Sequence, residues 1–410
     1  MKNVLFINSG FELGGIETFL VRAAKNLSKD VKYTLLIMSD ATNKDLLDKF
    51  SIYGDVIFLS DLLLFNAGKY AILRTLLPLN RQKVRTLLSH IDIIHASCSF
   101  SLILMRKLSC ILNKGILESV GVYHSREFLW GEKKRLMRKT QLSMFKKIPA
   151  NNVLFMNEYT VKLYSDIFKV NYYNALPIGI DIGIYSECIP NKNSGRIVSI
   201  GRLVDFKTYN YHMIDYLSTL SSERRNMLCF EIYGDGPESV ALKKLAKQRN
   251  VKVKFGGRLE YKDMPSILDG ASLFIGSGTA IVEAAAAGVP CIIGIESIDE
   301  PLTYGFLTET VGLSFQEMGL NYPLKKYEMA MSEFYELSEE DYLILSDKHR
   351  RRAKDFSLDN MKSIILDYYE NLSDNTTRNK PCIMYALSTM FWMILNKMKI
   401  NNERNSMYDF

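Results

Sequence analysis

Paired cysteines and long apolar runs are both missing from this sequence, and each absence removes a class of protein. Its six cysteines, Cys98, Cys110, Cys188, Cys229, Cys291 and Cys382, form no C-x-x-C pair. Several stand inside apolar runs such as Val289-Pro290-Cys291-Ile292-Ile293. That scatter argues against a disulfide framework or a cysteine zinc site and reads as small buried hydrophobes in a reducing compartment. No apolar run has the roughly 20 residues of a membrane-spanning helix. Stretch 383–395 comes nearest, at about two-thirds of a span. At the N-terminus only four consecutive apolar residues, Val4 to Ile7, precede polar and glycine positions. Such a run is too short for the core of a secretory signal and suits a buried strand entering a loop.

What is present fits a globular protein of more than one domain. A chain of 410 residues exceeds what one hydrophobic core usually supports, so two domains are expected. With 47% hydrophobic and 24% charged residues there is no disordered or fibrous bias. Mean hydropathy of −0.04 is a little high for a cytosolic enzyme and invites a search for membrane contact. Most of the net charge of +7 lies in 131–147, where Lys133, Lys134, Arg135, Arg138, Lys139, Lys146 and Lys147 face Glu132 alone. The bland reading is a solvated helix face. Trp130, Leu136, Met137, Leu142, Met144 and Phe145 interleave with the charges, however, and a basic helix with an apolar face is what an anionic leaflet attracts. Both readings stand at this point. Nucleic acid is disfavoured, because no recognised nucleic-acid module accompanies the patch.

Short apolar runs alternate with amphipathic stretches through both halves. In the first half the strands are expected at 3–7, 33–38, 55–59, 92–95, 115–123 and 152–155, with helices such as 16–27 and 70–88. The second half repeats the scheme with strands at 196–200, 227–233, 251–255, 272–275 and 290–294, and helices such as 239–249 and 279–287. Alternation of this kind predicts parallel sheets covered on both faces, hence an α/β protein of two doubly wound domains. The polar stretch 187–195 is the best linker, and after about Asn321 three helices are expected at 325–337, 339–355 and 357–371. In open parallel sheets ligands bind outside the carboxyl ends of the strands, so the loops after strands are where chemistry is sought.

Three such loops stand out in the second half. After Ile275 come Gly276-Ser277-Gly278-Thr279, then an alanine-rich helix with Glu283 one turn in, ending at Gly288-Val289-Pro290. Glycines admit an oxyanion close to backbone N–H groups, the helix N-terminus favours negative charge, and Glu283 could accept from ribose hydroxyls. Equally, the glycines could serve only to make a tight turn, with Glu283 exposed. Gly201-Arg202-Leu203-Val204-Asp205-Phe206-Lys207 follows another strand, and its two cations suit a diphosphate, Arg through its planar fork and Lys as a point charge. Each cation taken singly is more often a solvated loop residue. Tyr233-Gly234-Asp235-Gly236-Pro237 lacks the full dinucleotide fingerprint, so a nicotinamide site is poorly supported. In the first half Gly14-Gly15-Ile16-Glu17 opens the first helix and permits close backbone approach to a ligand.

Together with Leu176-Pro177-Ile178-Gly179-Ile180-Asp181, these motifs occur in the order and spacing of a known family. The chain resembles the retaining glycosyltransferases of family 4 with the GT-B fold, over residues 1 to about 371. That resemblance implies two Rossmann-like domains facing a cleft, with C-terminal helices crossing back to the first. The implied division is an acceptor-side domain at 1–186, a nucleotide-sugar domain at 195–355, a crossover helix at 356–372 and an apolar, basic tail at 373–410. It implies donor contacts from Gly14, Gly15, Gly201, Arg202, Lys207, Gly234, Gly278, Thr279 and Glu283, with Arg202 and Lys207 on the diphosphate and Glu283 on the ribose. His124, in Val122-Tyr123-His124-Ser125, matches the family's first-domain active-site histidine and joins Arg202 and Lys207 as catalytic. One departure matters: the family's sugar-side carboxylate, separated from the second glutamate by seven intervening residues, would fall eight positions before Glu283, where Ile275 stands. The implied reaction passes a hexosyl group from a nucleotide diphosphate sugar to an acceptor hydroxyl, with retention. No D-x-D pair occurs, so no metal and no cofactor are expected. The expected partners are a lipid-linked glycan acceptor and the anionic inner leaflet, in the cytoplasm and peripheral to the membrane. The 383–395 tail is either an interfacial helix or a strip packed onto the protein. An epimerase of the same fold, or a non-catalytic nucleotide-sugar-binding subunit, remains a competing expectation.

Overall fold

A computed structural model describes residues 1–12, 14–65, 71–112, 115–129, 136–374 and 383–397. The chain divides into two compact units, the first formed by Met1–Leu176 with the segment from Met361 onward, the second by Pro177–Asn360.

In the first unit six strands, β1 (Lys2–Asn8), β2 (Val31–Ile37), β3 (Asp55–Phe58), β4 (Ile93–Ala96), β5 (Leu117–Val122) and β6 (Val153–Phe155), form one sheet in the order β3-β2-β1-β4-β5-β6. Every pairing in it is parallel. Val4, Leu5, Phe6 and Ile7 of β1 are all essentially unexposed, so a continuous apolar run replaces the alternation of a half-buried strand. Helix α1 (Gly15–Leu27) follows β1. The amphipathic stretch expected as one helix over 70–88 is two, α2 (Ala71–Leu76) and α3 (Arg81–Leu88), with Tyr70 outside the described residues. Pro78 lies between them, and the Asn80 side chain caps α3 by accepting from the N–H groups of Gln82 and Lys83, both at 3.1 Å. Helix α4 (Leu136–Phe145) precedes β6.

The second unit repeats the pattern. Strands β7 (Arg196–Ile200), β8 (Cys229–Tyr233), β9 (Val253–Gly257), β10 (Leu273–Gly276) and β11 (Cys291–Ile293) form a five-stranded sheet in the order β11-β10-β7-β8-β9. These pairings are also all parallel. Helix α5 (Tyr209–Thr219) follows β7, and α6 (Gly278–Ala286) follows β10 after a single residue, Ser277. Helix α7 (Glu339–Ala353) supplies Arg350, which donates to the Ala286 and Ala287 carbonyls at 3.0 and 2.9 Å and so closes the C-terminus of α6. The polar stretch 187–195 belongs to this unit: Gly270 N–H donates to Ile189 O, Asn191 N–H to Ala271 O, and Asn193 to Glu339.

Helix α8 (Leu358–Glu370) begins with the Ser357 hydroxyl accepting from Asn360 N–H at 3.1 Å. Its far end packs on the first sheet. Tyr368 OH bonds Ser119 Oγ at 2.6 Å and donates to Asn152 O at 2.8 Å, and Tyr369 OH lies 3.3 Å from Tyr33 OH. Helix α9 (Ile383–Lys397) packs against α4 and α2.

Both sheets change winding direction once, between β1 and β4 and between β7 and β10. The loops at the carboxyl ends of those strand pairs splay apart, and that is where an open α/β sheet receives a ligand.

Candidate active site

In the second unit the loops after β7 and β10 carry the motifs singled out from sequence. The loop 201–208 is held from two sides. Gly201 N–H donates to Tyr233 O at 2.9 Å, and Leu203 N–H to Asp235 O at 2.8 Å. This bracing explains the Gly-x-Gly turn: a Cβ on Gly234 would lie 1.9 Å from Gly201 O, and one on Gly236 2.1 Å from Leu203 O. With φ of +137° and +150°, both positions also favour glycine through their backbone. From the other side Ser297 N–H donates to Phe206 O at 2.7 Å, and the Thr208 hydroxyl to Ile298 O at 2.6 Å.

So held, the loop aims Lys207 back over Gly201, where a Cβ would meet Nζ at 3.3 Å. The Lys207 side chain is mostly shielded (15% exposed), and its ammonium stands 3.9 Å from Glu296 Oε1, too far for a hydrogen bond but close enough for charge balance. Arg202, by contrast, is exposed and has no polar partner among the described residues. The two cations are brought to one loop, but only Lys207 has a fixed place.

Helix α6 starts in the left-handed region at Gly278 (φ +66°), which only glycine adopts without strain. Its N-cap is Ser277, whose hydroxyl does not cap the helix. That hydroxyl is 2.6 Å from Glu296 Oε1, to which it donates, and 3.4 Å from Tyr209 OH. Gly278 N–H donates to Gln316 Oε1, so an amide oxygen sits where an anionic oxygen would be received. Glu283 is buried at 3% exposure, not displayed on the helix surface, among alanines that are themselves buried. The exposed Glu283 of the alternative reading is therefore not what the fold shows, while the glycines still make a tight turn before α6. Thr279 is in the first turn of α6, beside Gly278.

Ile275 has a simple structural explanation. It is a β10 residue paired with Ile292, wholly buried in the second unit's core. A carboxylate there would be desolvated with its side chain in the apolar interior.

In the first unit the loops after β1 and β4 meet through side chains. Ser97 Oγ lies 2.7 Å from Asn8 Oδ1 and 2.9 Å from Ile7 O, its single proton directed to one or shared between them, and Asn8 Nδ2 donates to Glu17 Oε1 at 2.9 Å. Gly14 caps α1, and a Cβ there would come within 2.4 Å of Glu17 Oε2, whereas a Cβ on Gly15 meets nothing. Burial raises the Glu17 carboxyl, and the Asn8 bond opposes that shift. After β5, the His124 ring accepts at Nδ1 from Arg126 N–H at 3.2 Å. Burial, with Arg126 nearby, lowers its pKa from 6.5 and so favours the neutral ring, and the bond accepted at Nδ1 favours the tautomer with its proton on Nε2. It is thus arranged as a hydrogen-bond donor. Beside it, Tyr123 OH bonds His95 Nε2 at 2.9 Å, and His95 Nδ1 bonds Ser119 Oγ at 2.7 Å. Burial pushes His95 down to about 3, which makes this chain a neutral scaffold. Glu127, three residues beyond His124, is pushed up to about 7 by burial.

Residues 188–296 match the sequence profile of the family "Glycosyl transferases group 1". Among characterised proteins, a Corynebacterium glutamicum enzyme, GDP-mannose-dependent monoacylated alpha-(1-6)-phosphatidylinositol monomannoside mannosyltransferase, is 27% identical over 166 residues. The match covers 34% of this chain and 43% of that protein, so less than half of the relative's length is spanned. Among solved structures, Anabaena HepE in complex with UDP aligns with a TM-score of 0.63 at 18% identity, over 91% of this chain and 100% of that one. A mutant of S. aureus TarM in complex with fondaparinux, alpha-GlcNAc-glycerol and UDP aligns with a TM-score of 0.58 at 11% identity, over 90% and 100% of the two chains. Residues 188–296 of the second unit thus match a glycosyl transferases group 1 domain, and the chain has the fold of the GT-B glycosyltransferases, built of two Rossmann-like units.

Sequence reading missed Ser277 as a positioning group, and also Glu296, Gln316, Asn8 and Glu17. Glu296 was within reach of the strand-exit rule, since it lies three residues past β11. Gln316 was not, because only the folded loop brings it to Gly278.

Proposed function

We propose that this chain is a glycosyltransferase that moves a hexosyl group from a nucleoside diphosphate sugar to a hydroxyl of a lipid-linked glycan. The observation that carries this reading is the convergence of Lys207, the α6 N-terminus at Gly278 and buried Glu283 at the β7/β10 switch point, inside the matched family segment. Lys207 and Arg202 take the diphosphate, Gly278 and Thr279 its oxygens, and Glu283 the ribose. As the anomeric C–O bond to phosphate breaks, negative charge builds on the diphosphate and is stabilised by Lys207 and the helix terminus. The acceptor oxygen bonds to the anomeric carbon on the face the phosphate leaves, and its proton passes to a phosphate oxygen, which retains configuration. The reaction requires no metal. His124 in the first unit donates from Nε2 to the sugar or acceptor.

The acceptor reading draws on two supports. The C. glutamicum relative is named for a phosphatidylinositol monomannoside. In α9, Ile383, Met384, Leu387, Phe391 and Ile394 are each about half or more exposed and recur at helical spacing on one face, while α4 and the two residues after it add exposed Leu136, Lys139, Lys146 and Lys147. At about 1.5 Å per residue, the 15 residues of α9 are too short to cross a bilayer. They suit a helix lying in the interface of an anionic inner leaflet. Residues 131–135, Lys399 and Cys382 lie outside the described residues. Arg138 is buried and is not part of this face. The setting is assembly of a surface polysaccharide such as O-antigen or capsule, in the cytoplasm.

The test is nucleoside diphosphate release from UDP- and GDP-sugars, with and without membrane lipid extract and with EDTA. Release that needs the extract and survives EDTA is expected. Turnover without any acceptor would favour an epimerase, and binding without release a non-catalytic subunit.

A further inference from the structure

We propose that Glu296 is the sugar-side carboxylate of the donor site, accepting hydrogen bonds from hydroxyls of the transferred hexose. This rests on the donor-site reading above.

The sequence leaves that side of the site without an acid, because Ile275 is in the core. The folded chain supplies one from the next strand exit. Glu296 follows β11, the neighbour of β10 in the sheet, and its backbone is pinned by its N–H donating to Gln316 O at 3.0 Å. Oε1 is occupied, accepting from Ser277 Oγ at 2.6 Å and facing Lys207 at 3.9 Å. Oε2 has no hydrogen-bond partner among the described residues, and the side chain is 22% exposed. Ser277 is the residue immediately before Gly278, and its hydroxyl holds this carboxylate where it would otherwise cap α6.

Charge then assigns the target. A carboxylate cannot take the diphosphate, which carries its own sign, so Glu296 faces what is joined to the diphosphate. With phosphate on Lys207 and the α6 N-terminus, the neighbouring group on one side is the anomeric carbon of the sugar. A fixed carboxylate oxygen beside it accepts from one or two hydroxyls, and such a site rejects a sugar lacking them. Glu296 is thereby a specificity-determining residue, with Ser277 as its positioning residue.

The experiment compares binding of UDP with UDP-glucose, and of GDP with GDP-mannose, in the wild type, Glu296→Gln and Ser277→Ala. Thermal melting verifies that each variant is folded. For whichever base binds, Glu296→Gln is expected to lose about tenfold in affinity for the nucleotide sugar while affinity for the bare diphosphate holds or rises. Ser277→Ala should shift the sugar-dependent part in the same direction by less. Equal losses for diphosphate and nucleotide sugar, or no loss for either, would overturn the assignment and leave the donor site standing. A wild type that binds none of the four probes would overturn both.

Discussion

The two units share one topology but load their switch points differently. Both wind parallel strands outward in two directions from a central pair, β1/β4 in one and β7/β10 in the other. In the second unit the loops there hold charge: Lys207, Glu296 and the α6 terminus, with Arg202 at the rim. In the first they hold a hydrogen-bonded set, Asn8, Ser97 and Glu17, with His124 in the loop after the neighbouring strand β5 and a buried Tyr123–His95–Ser119 chain. A diphosphate needs cations and N–H groups, whereas a sugar or glycan hydroxyl needs neutral donors and acceptors in fixed positions. On the function proposed above, one scaffold would serve both ends of a transfer reaction, because the sheet fixes where loops open and leaves their chemistry free.

This contrast is open to direct attack. The largest effect is expected from Lys207→Ala, which should lower turnover about 10²- to 10³-fold, read as nucleoside diphosphate release at saturating donor. Unchanged turnover would remove the charged half of the comparison.

Glycines in the two loops should separate next. Gly234→Ala places a Cβ 1.9 Å from Gly201 O, so the brace behind the Lys207 loop must move. A loss of more than about 2 kcal/mol in unfolding free energy is expected, together with weaker diphosphate binding. Gly15→Ala meets nothing within 4 Å. It should leave stability within about 1 kcal/mol yet reduce turnover, if close backbone approach is what that glycine provides. A destabilised Gly15→Ala with normal turnover would reverse its role.

The pH profile gives a smaller and sharper effect. His124 lies below its ordinary 6.5 because burial disfavours the imidazolium, so it is neutral above that pH and contributes no limb there. Burial raises both Glu127 and Glu317 to about 7, and a limb there is expected to vanish in Glu127→Gln while persisting in Glu317→Gln and His124→Gln. The opposite pattern would exchange the two assignments. The smallest effect is expected on chemistry itself from ending the chain after Asp374: turnover with donor and a detergent-solubilised lipid extract should hold, while binding to anionic vesicles falls. Vesicle binding that survives this truncation and is lost on neutralising Lys139, Lys146 and Lys147 would move the contact to α4.

Much of this molecule was legible before folding. All eleven strands of the two parallel sheets were placed to within two residues, because strands buried on both faces are apolar runs bounded by polar or glycine positions. The donor loop was legible because glycine, cation and helix start follow a strand in a fixed local order. Two features were not. The helix expected over 70–88 breaks near Pro78, where Asn80 offers a cap that restarts it. The stretch 187–195 looks like a linker by composition, yet its Ile189 N–H donates to Asp269 Oδ1 and its Asn193 to Glu339 of α7, while the units part between Leu176 and Pro177.

The sequence by itself determined the parallel α/β architecture, the repeat of two doubly wound units, and Arg202, Lys207 and Glu283 as the candidate donor grip. Those follow from local patterns, in which each residue and its structural meaning lie within one strand–loop–helix. Tertiary structure alone decided that Lys207 and not Arg202 has a fixed place, that Glu283 is buried, and that Gly234 is a brace. It alone joined Glu296 to Ser277, 19 residues apart. The physical reason is that parallel strands adjacent in the sheet place their exit loops side by side whatever their separation in the chain, and a carboxylate's role depends on which hydroxyl and which ammonium it meets there.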